Sequence, residues 1–107
     1  MPFHLDNTAA SVRRLPPLAI STANTPSAPT VRVQVITPPG ALNRSGQRQL
    51  TREATDIIAK AAGDPGLPAR TWVILTEAAE GGWGLAGTPF GVAEFSELAQ
   101  KAAAART

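Results

Sequence analysis

The chain has 107 residues, enough for one domain with a modest core. Its ten Lys and Arg against eight Asp and Glu give a formal charge of +2 and a pI near 9.9, but the basic residues form no run and no patch interleaved with aromatics, so a nucleic-acid partner is set aside. With zero Cys the chain alone cannot build disulfides, thiolate catalysis or a Cys-based metal site, and its single imidazole, His4, rules out a metal site made of several histidines.

Residues 1–28 are punctuated by Pro16, Pro17 and Pro26 within a stretch rich in Ser, Thr, Ala and Asn, and read as a flexible leader. Pro2 to Leu5 and Leu18 to Ile20 are the pieces with enough apolar character to order, and Ser21 to Pro29 reads as linker. No signal-peptide core and no apolar run near the roughly 20 residues of a membrane span is present, so the expectation is a cytoplasmic protein with no membrane partner.

From Thr30 the pattern changes. Val31, Val33 and Val35 alternate with Arg32, Gln34 and Ile36, which predicts a strand with one fully apolar face, ended by Pro38, Pro39 and Gly40. Asn43 or Ser45 then offers an N-cap, and Leu50, Ala54, Ile57, Ile58 and Ala61 make an apolar stripe at helical spacing, stopped at Gly63. A second strand, Thr71 to Glu77, carries Thr71, Val73 and Leu75 on one face and Trp72, Ile74 and Thr76 on the other. Both faces are largely apolar, so this strand is expected to be covered on both sides. Strand, helix and strand in about 48 residues predict a parallel βαβ unit, the helix packing on the Val31, Val33 and Val35 face. Glycines in EGGWGLAG predict a tight hairpin that projects Trp83, and Pro89 marks the entrance of a last helix bearing Val92, Phe95, Leu98, Ala99 and Ala102. A sheet of two strands is marginal alone, and its face with Ile36, Trp72 and Ile74 needs a cover, so association with other copies or with a related chain is inferred.

Several motifs have plainer readings. Gly82, Gly84 and Gly87 match G-x-G-x-x-G, but neither a return strand nor an acidic residue follows at the required distance, so a dinucleotide cofactor is not expected; no other cofactor is called for. Glu77, Glu80, Glu94 and Glu97 are paired carboxylates best read as solvated charges. Arg44, Arg48 and Arg52 recur at helical spacing; such a row is usually a solvated face and alternatively binds an anion. Trp72 and Trp83 fill a core, an interface or a pocket wall.

The segment TVRVQVITPPGALNRSGQRQL, a helix ending AAGDPG, and RTWVILTEAAEGGWGLAG together resemble the tautomerase superfamily, in the group of 4-oxalocrotonate tautomerase, over residues 29–87. The resemblance implies an α/β (α+β) fold: a tautomerase-like β-α-β unit with a C-terminal hairpin and helix, with sheets assembled across subunits as a homo-oligomer (trimer or hexamer) or as a hetero-oligomer with a related chain. On this reading residues 1–28 are a leader and 29–107 the tautomerase-like domain.

The family's chemistry rests on an amino-terminal proline whose secondary amine, its pKa lowered in an apolar pocket, is a general base, while arginines hold a substrate carboxylate. The proline that heads the matching strand is Pro29, whose nitrogen is an amide without a basic lone pair. Two alternatives follow: Pro2 becomes the terminus on removal of Met1 and supplies the base, or the match is to the second repeat of a two-repeat member and this chain lacks the base. By the resemblance Trp83 lines the pocket, Trp72 stands where the family has an arginine, Arg44 is the nearest counterpart of the arginine after the first strand, and Arg32 replaces lost charge. The expected activity is keto-enol isomerisation of a small 2-keto or 2-hydroxy carboxylic acid in a subunit-interface pocket, making the protein an isomerase if Pro2 is exposed. The alternative is a non-catalytic subunit or binding module of the same fold.

Overall fold

Two parallel strands and the helix that joins them organise the chain. The computed structural model describes residues 7–16, 22 and 30–105; the pieces expected at residues 2–5 and 18–20 lie outside these. Residues 8–16 have no helix or strand and are exposed.

Strand β1 (Val31–Thr37) pairs in parallel with β2 (Thr71–Glu77), from Val31 opposite Thr71 to Thr37 opposite Glu77. The Ala78 N–H donates to the Thr37 carbonyl at 2.9 Å and extends the ladder one step. Side chains alternate across a strand, so 31, 33, 35 and 71, 73, 75 are half-buried while 32, 34, 36 and 72, 74, 76 are exposed. The half-buried set faces helix α1 (Arg44–Ala62), as the sequence predicts. The expectation that β2 is covered on both sides holds for one side within the single chain: Ile36, Trp72 and Ile74 stay 58 %, 48 % and 38 % exposed.

Local chemistry fixes both ends of α1. The Asn43 side chain, rather than Ser45, accepts the Gly46 N–H at 2.8 Å, and Ser45 lies inside the helix. Gly63 takes the left-handed conformation at φ 63°, which places its N–H on the Lys60 carbonyl at 3.1 Å and the Asp64 N–H on Ala59 at 3.2 Å. Leu50, Ala54 and Ile58 are half-buried, whereas Ile57 is 66 % exposed and Ala61 is exposed. A sheet of two strands is narrower than the full apolar stripe, so the stripe is only partly covered.

A 3-10 turn (Leu67–Arg70), which hydrophobic periodicity does not reveal, leads into β2. Leu67 is 5 % exposed, and with Pro39 in the turn after β1 it is one of two buried apolar side chains among the described residues. Around it, the Asp64 carboxylate accepts the Gly66 N–H at 2.9 Å and pairs with Arg70 at 2.6 Å, and the Thr71 hydroxyl donates to the Leu67 carbonyl at 2.8 Å.

After β2, strands β3 (Trp83–Leu85) and β4 (Thr88–Phe90) form an antiparallel hairpin. Its two-residue loop puts Ala86 at φ 53° and Gly87 at φ 83°, the positive pair that matches strand twist in a tight hairpin. Pro89 lies in β4 opposite Gly84, not at a helix entrance; in a short edge strand its missing N–H costs little. Helix α2 (Val92–Ala105) starts after Gly91, whose N–H donates to Glu94 at 2.8 Å, one half of a capping box.

Candidate functional site

The predicted site residues occupy three places. Arg32 and Trp72 are direct partners in the parallel register, both on the uncovered sheet face, with Ile36 and Ile74 further along it. The Arg32 guanidinium reaches Gln34 Oε1 at 3.3 Å. This face therefore offers a cation and an indole side by side against exposed aliphatic groups.

Arg44 is the first residue of α1, so it stands on the helix-covered side of the sheet, opposite to Arg32. It donates to Gln47 Oε1 at 3.5 Å. Trp83 turns toward its own chain: its ring meets Phe95 edge-on at 6.4 Å with 75° between planes, and Phe90 stacks obliquely on Phe95 at 5.2 Å. Half-buried in this way, Trp83 anchors the hairpin to α2 instead of projecting freely. One chain thus brings Arg32 and Trp72 together, and leaves Arg44 and Trp83 apart from them. Pro2 lies outside the described residues.

The carboxylates read as solvated are in part structural. Glu77 accepts the Gly40 N–H, tying the Pro38–Gly40 turn to the end of β2. Glu80 accepts the Val92 N–H at 2.8 Å at the start of α2, where a negative charge also suits the helix dipole. The signal was a strand followed by E-x-x-E-G-G, which leaves two carboxylates beside turns full of unpaired N–H groups.

A groove of about 670 Å³ opens between α1 and β2. Arg44, Arg48 and Arg52 line one side with Thr51 and Thr55, and Val73 and Leu75 form its apolar part. Arg44 and Arg48 fall in the first turns of a helix with no acidic residue in its first turn, where cations oppose the dipole. Each like-charged i,i+4 pair costs a further ~0.2–0.5 kcal/mol. The ion pairs among the described residues are Asp64–Arg70 and Glu97–Lys101, so Arg48 and Arg52 are left without a carboxylate partner. A perturbed carboxyl lies away from this groove: Asp64 is held below its ordinary value first by the Gly66 N–H and then by the Arg70 guanidinium.

Among the described residues no group of three or more His, Cys, Asp or Glu is placed to hold a metal ion, and no helix is long and apolar enough to cross a membrane. No curated protein matches the chain. The crystal structure of DmpI from Helicobacter pylori is similar at 20% identity, covering 64% of this chain and 97% of that one with a TM-score of 0.44. The family model described as Tautomerase enzyme matches residues 29–93, more than half of the chain. The β-α-β order and the hairpin that follows it fall within those residues, and the chain belongs to the tautomerase family.

Proposed function

We propose that the protein interconverts the keto and enol forms of a small 2-keto or 2-hydroxy carboxylic acid, in a pocket closed when the open sheet face meets other subunits. The observation that carries this reading is the pairing of Arg32 with Trp72 on an exposed apolar face in a chain of the tautomerase family. A guanidinium there can hold a carboxylate with two parallel hydrogen bonds, and the indole can pack against the substrate's carbon frame.

Pro2 is the base in this proposal. Removal of Met1 turns its nitrogen into a secondary amine, which an apolar surrounding keeps neutral at ordinary pH. The amine takes a proton from the carbon next to the keto group, the C–H electron pair forms the C=C bond, and the carbonyl oxygen takes up a proton to give the enol. The reverse sequence ketonises an enol. Arg44 and Trp83 enter only if a neighbouring subunit supplies them, because in one chain they lie away from Arg32. Phenylpyruvate enolisation tests the proposal: Pro2→Ala is expected to lower kcat/KM by about 100-fold or more, and Arg32→Ala to raise KM about tenfold. Equal rates for wild type and Pro2→Ala would sink the role of Pro2.

A second reading rests on Trp72, which stands where the resemblance expects an arginine, and on the internal Pro29. On that reading the chain is a non-catalytic subunit, inactive alone, and co-purifies with a related chain that carries a terminal proline. Turnover of a 2-keto acid by the purified protein at enzyme-like rates excludes it.

A further inference from the structure

We propose that the groove between α1 and β2 is a second ligand site, on the opposite side of the sheet from Arg32 and Trp72, for a small organic polyanion: phosphate or carboxylate groups carried on an apolar body. This goes beyond the isomerase reading and shares with it only Arg44.

Three observations converge. First, Arg44, Arg48 and Arg52 form one ladder at i, i+4 and i+8 along the groove, so successive guanidinium groups leave the backbone about 6 Å apart and the ladder spans about 12 Å. Second, three cations on the ladder face one acid: among the described residues Asp56, one turn beyond Arg52, is the carboxylate that lines the groove, Arg48 and Arg52 form no ion pair, and the first turn of α1 carries no acid. A bound anion relieves both the like-charge repulsion and the conflict with the helix dipole, and planar guanidinium forks suit phosphate and carboxylate oxygens. Third, the groove, although open to solvent, sets the apolar side chains of Val73 and Leu75 beside the arginines, the combination of an apolar wall with a few placed polar groups that small-molecule sites use. A solvated helix face supplies the first of these features but not the third.

The test is calorimetric titration of the full chain at low salt with hexamethylene bisphosphate, suberate and inorganic phosphate. The bisphosphate or suberate, whose charged ends are about as far apart as the ladder is long, is expected to bind at least about tenfold tighter than inorganic phosphate; the tighter of the two identifies the preferred anion. Arg48→Gln/Arg52→Gln is expected to weaken that binding by about tenfold or more, with the circular dichroism spectrum unchanged, and Arg48→Lys/Arg52→Lys to retain part of it because charge remains while the fork is lost. Binding equal in wild type and the Gln double variant overturns the site, as does a bisphosphate and a suberate that bind no tighter than inorganic phosphate. Phenylpyruvate turnover in the Gln double variant reads out the isomerase proposal separately, since neither Arg48 nor Arg52 belongs to it.

Discussion

Arg32 and Trp72 stand opposite one another across the parallel pair β1 and β2, on the sheet face that α1 leaves open. With Ile36 at 58 % and Ile74 at 38 % exposure beside them, that face is too apolar to be an ordinary solvated surface, and its cover is proposed to be other subunits. Ile74→Asp places a charge in the middle of it. The expected result is a smaller species in sedimentation velocity with the far-ultraviolet spectrum retained, since burying an unpaired carboxylate costs about 3 kcal/mol or more. Identical sedimentation of wild type and variant would remove this face from any assembly contact.

The hairpin makes an independent prediction. Ala86 adopts φ 53° ahead of Gly87 at φ 83°, a conformation that alanine tolerates poorly and asparagine well. Ala86→Asn is therefore expected to stabilise the fold by roughly 0.5–1 kcal/mol, measured as a higher urea midpoint at fixed protein concentration. A lower midpoint would mean that the loop is not held in this geometry.

How much of this was legible beforehand depended on the range of the physics involved. Val31, Val33, Val35, Val73 and Leu75 declare the covered face through period-two alternation, and Gly63 declares the end of α1 through its left-handed cap; both are local signals and both appear where the sequence puts them. Leu67 was not legible, because a single leucine in a Gly-Pro-rich turn has no periodicity and is buried only by what packs over it. The direction of Trp83 was not legible for the same reason: the glycines announce a hairpin and leave core, interface and pocket wall open, and only the position of Phe95 on α2 decides that within one chain the indole turns inward. Glu77 and Glu80 look solvated in isolation and acquire partners, Gly40 and Val92, that are 37 and 12 residues away. The arginine ladder could be seen in the sequence, but not that it borders a groove with Val73 and Leu75.

The turn before β2 predicts a pH dependence. The Asp64 carboxyl is lowered from 3.8 by the Gly66 N–H and by Arg70. A carboxyl lowered in the folded state contributes stability that is present above its unfolded value and is lost as pH falls through the folded value. Asp64→Asn is therefore expected to melt below wild type at neutral pH, with the gap closing as pH drops below about 3.8. The effect is modest, because both partners of the ion pair are substantially exposed. A gap in melting temperature that stays constant from neutral pH to well below 3.8 would show that the carboxylate charge contributes nothing and that only the hydrogen-bonding shape matters.

Two aliphatic residues separate packing from composition. Leu67 is 5 % exposed beneath the end of α1, while Ile57 on α1 is 66 % exposed. Truncating a buried leucine removes its transfer free energy and leaves a cavity, about 2–5 kcal/mol in total, which is a large share of the roughly 5–15 kcal/mol that holds a domain together. An exposed isoleucine has neither term to lose, so its truncation falls within about 0.5 kcal/mol. Urea unfolding at one fixed protein concentration is expected to show Leu67→Ala strongly destabilised and Ile57→Ala close to wild type. If Ile57→Ala proves the costlier of the two, Ile57 is buried in the assembled protein, and the interface extends from the open sheet face onto α1.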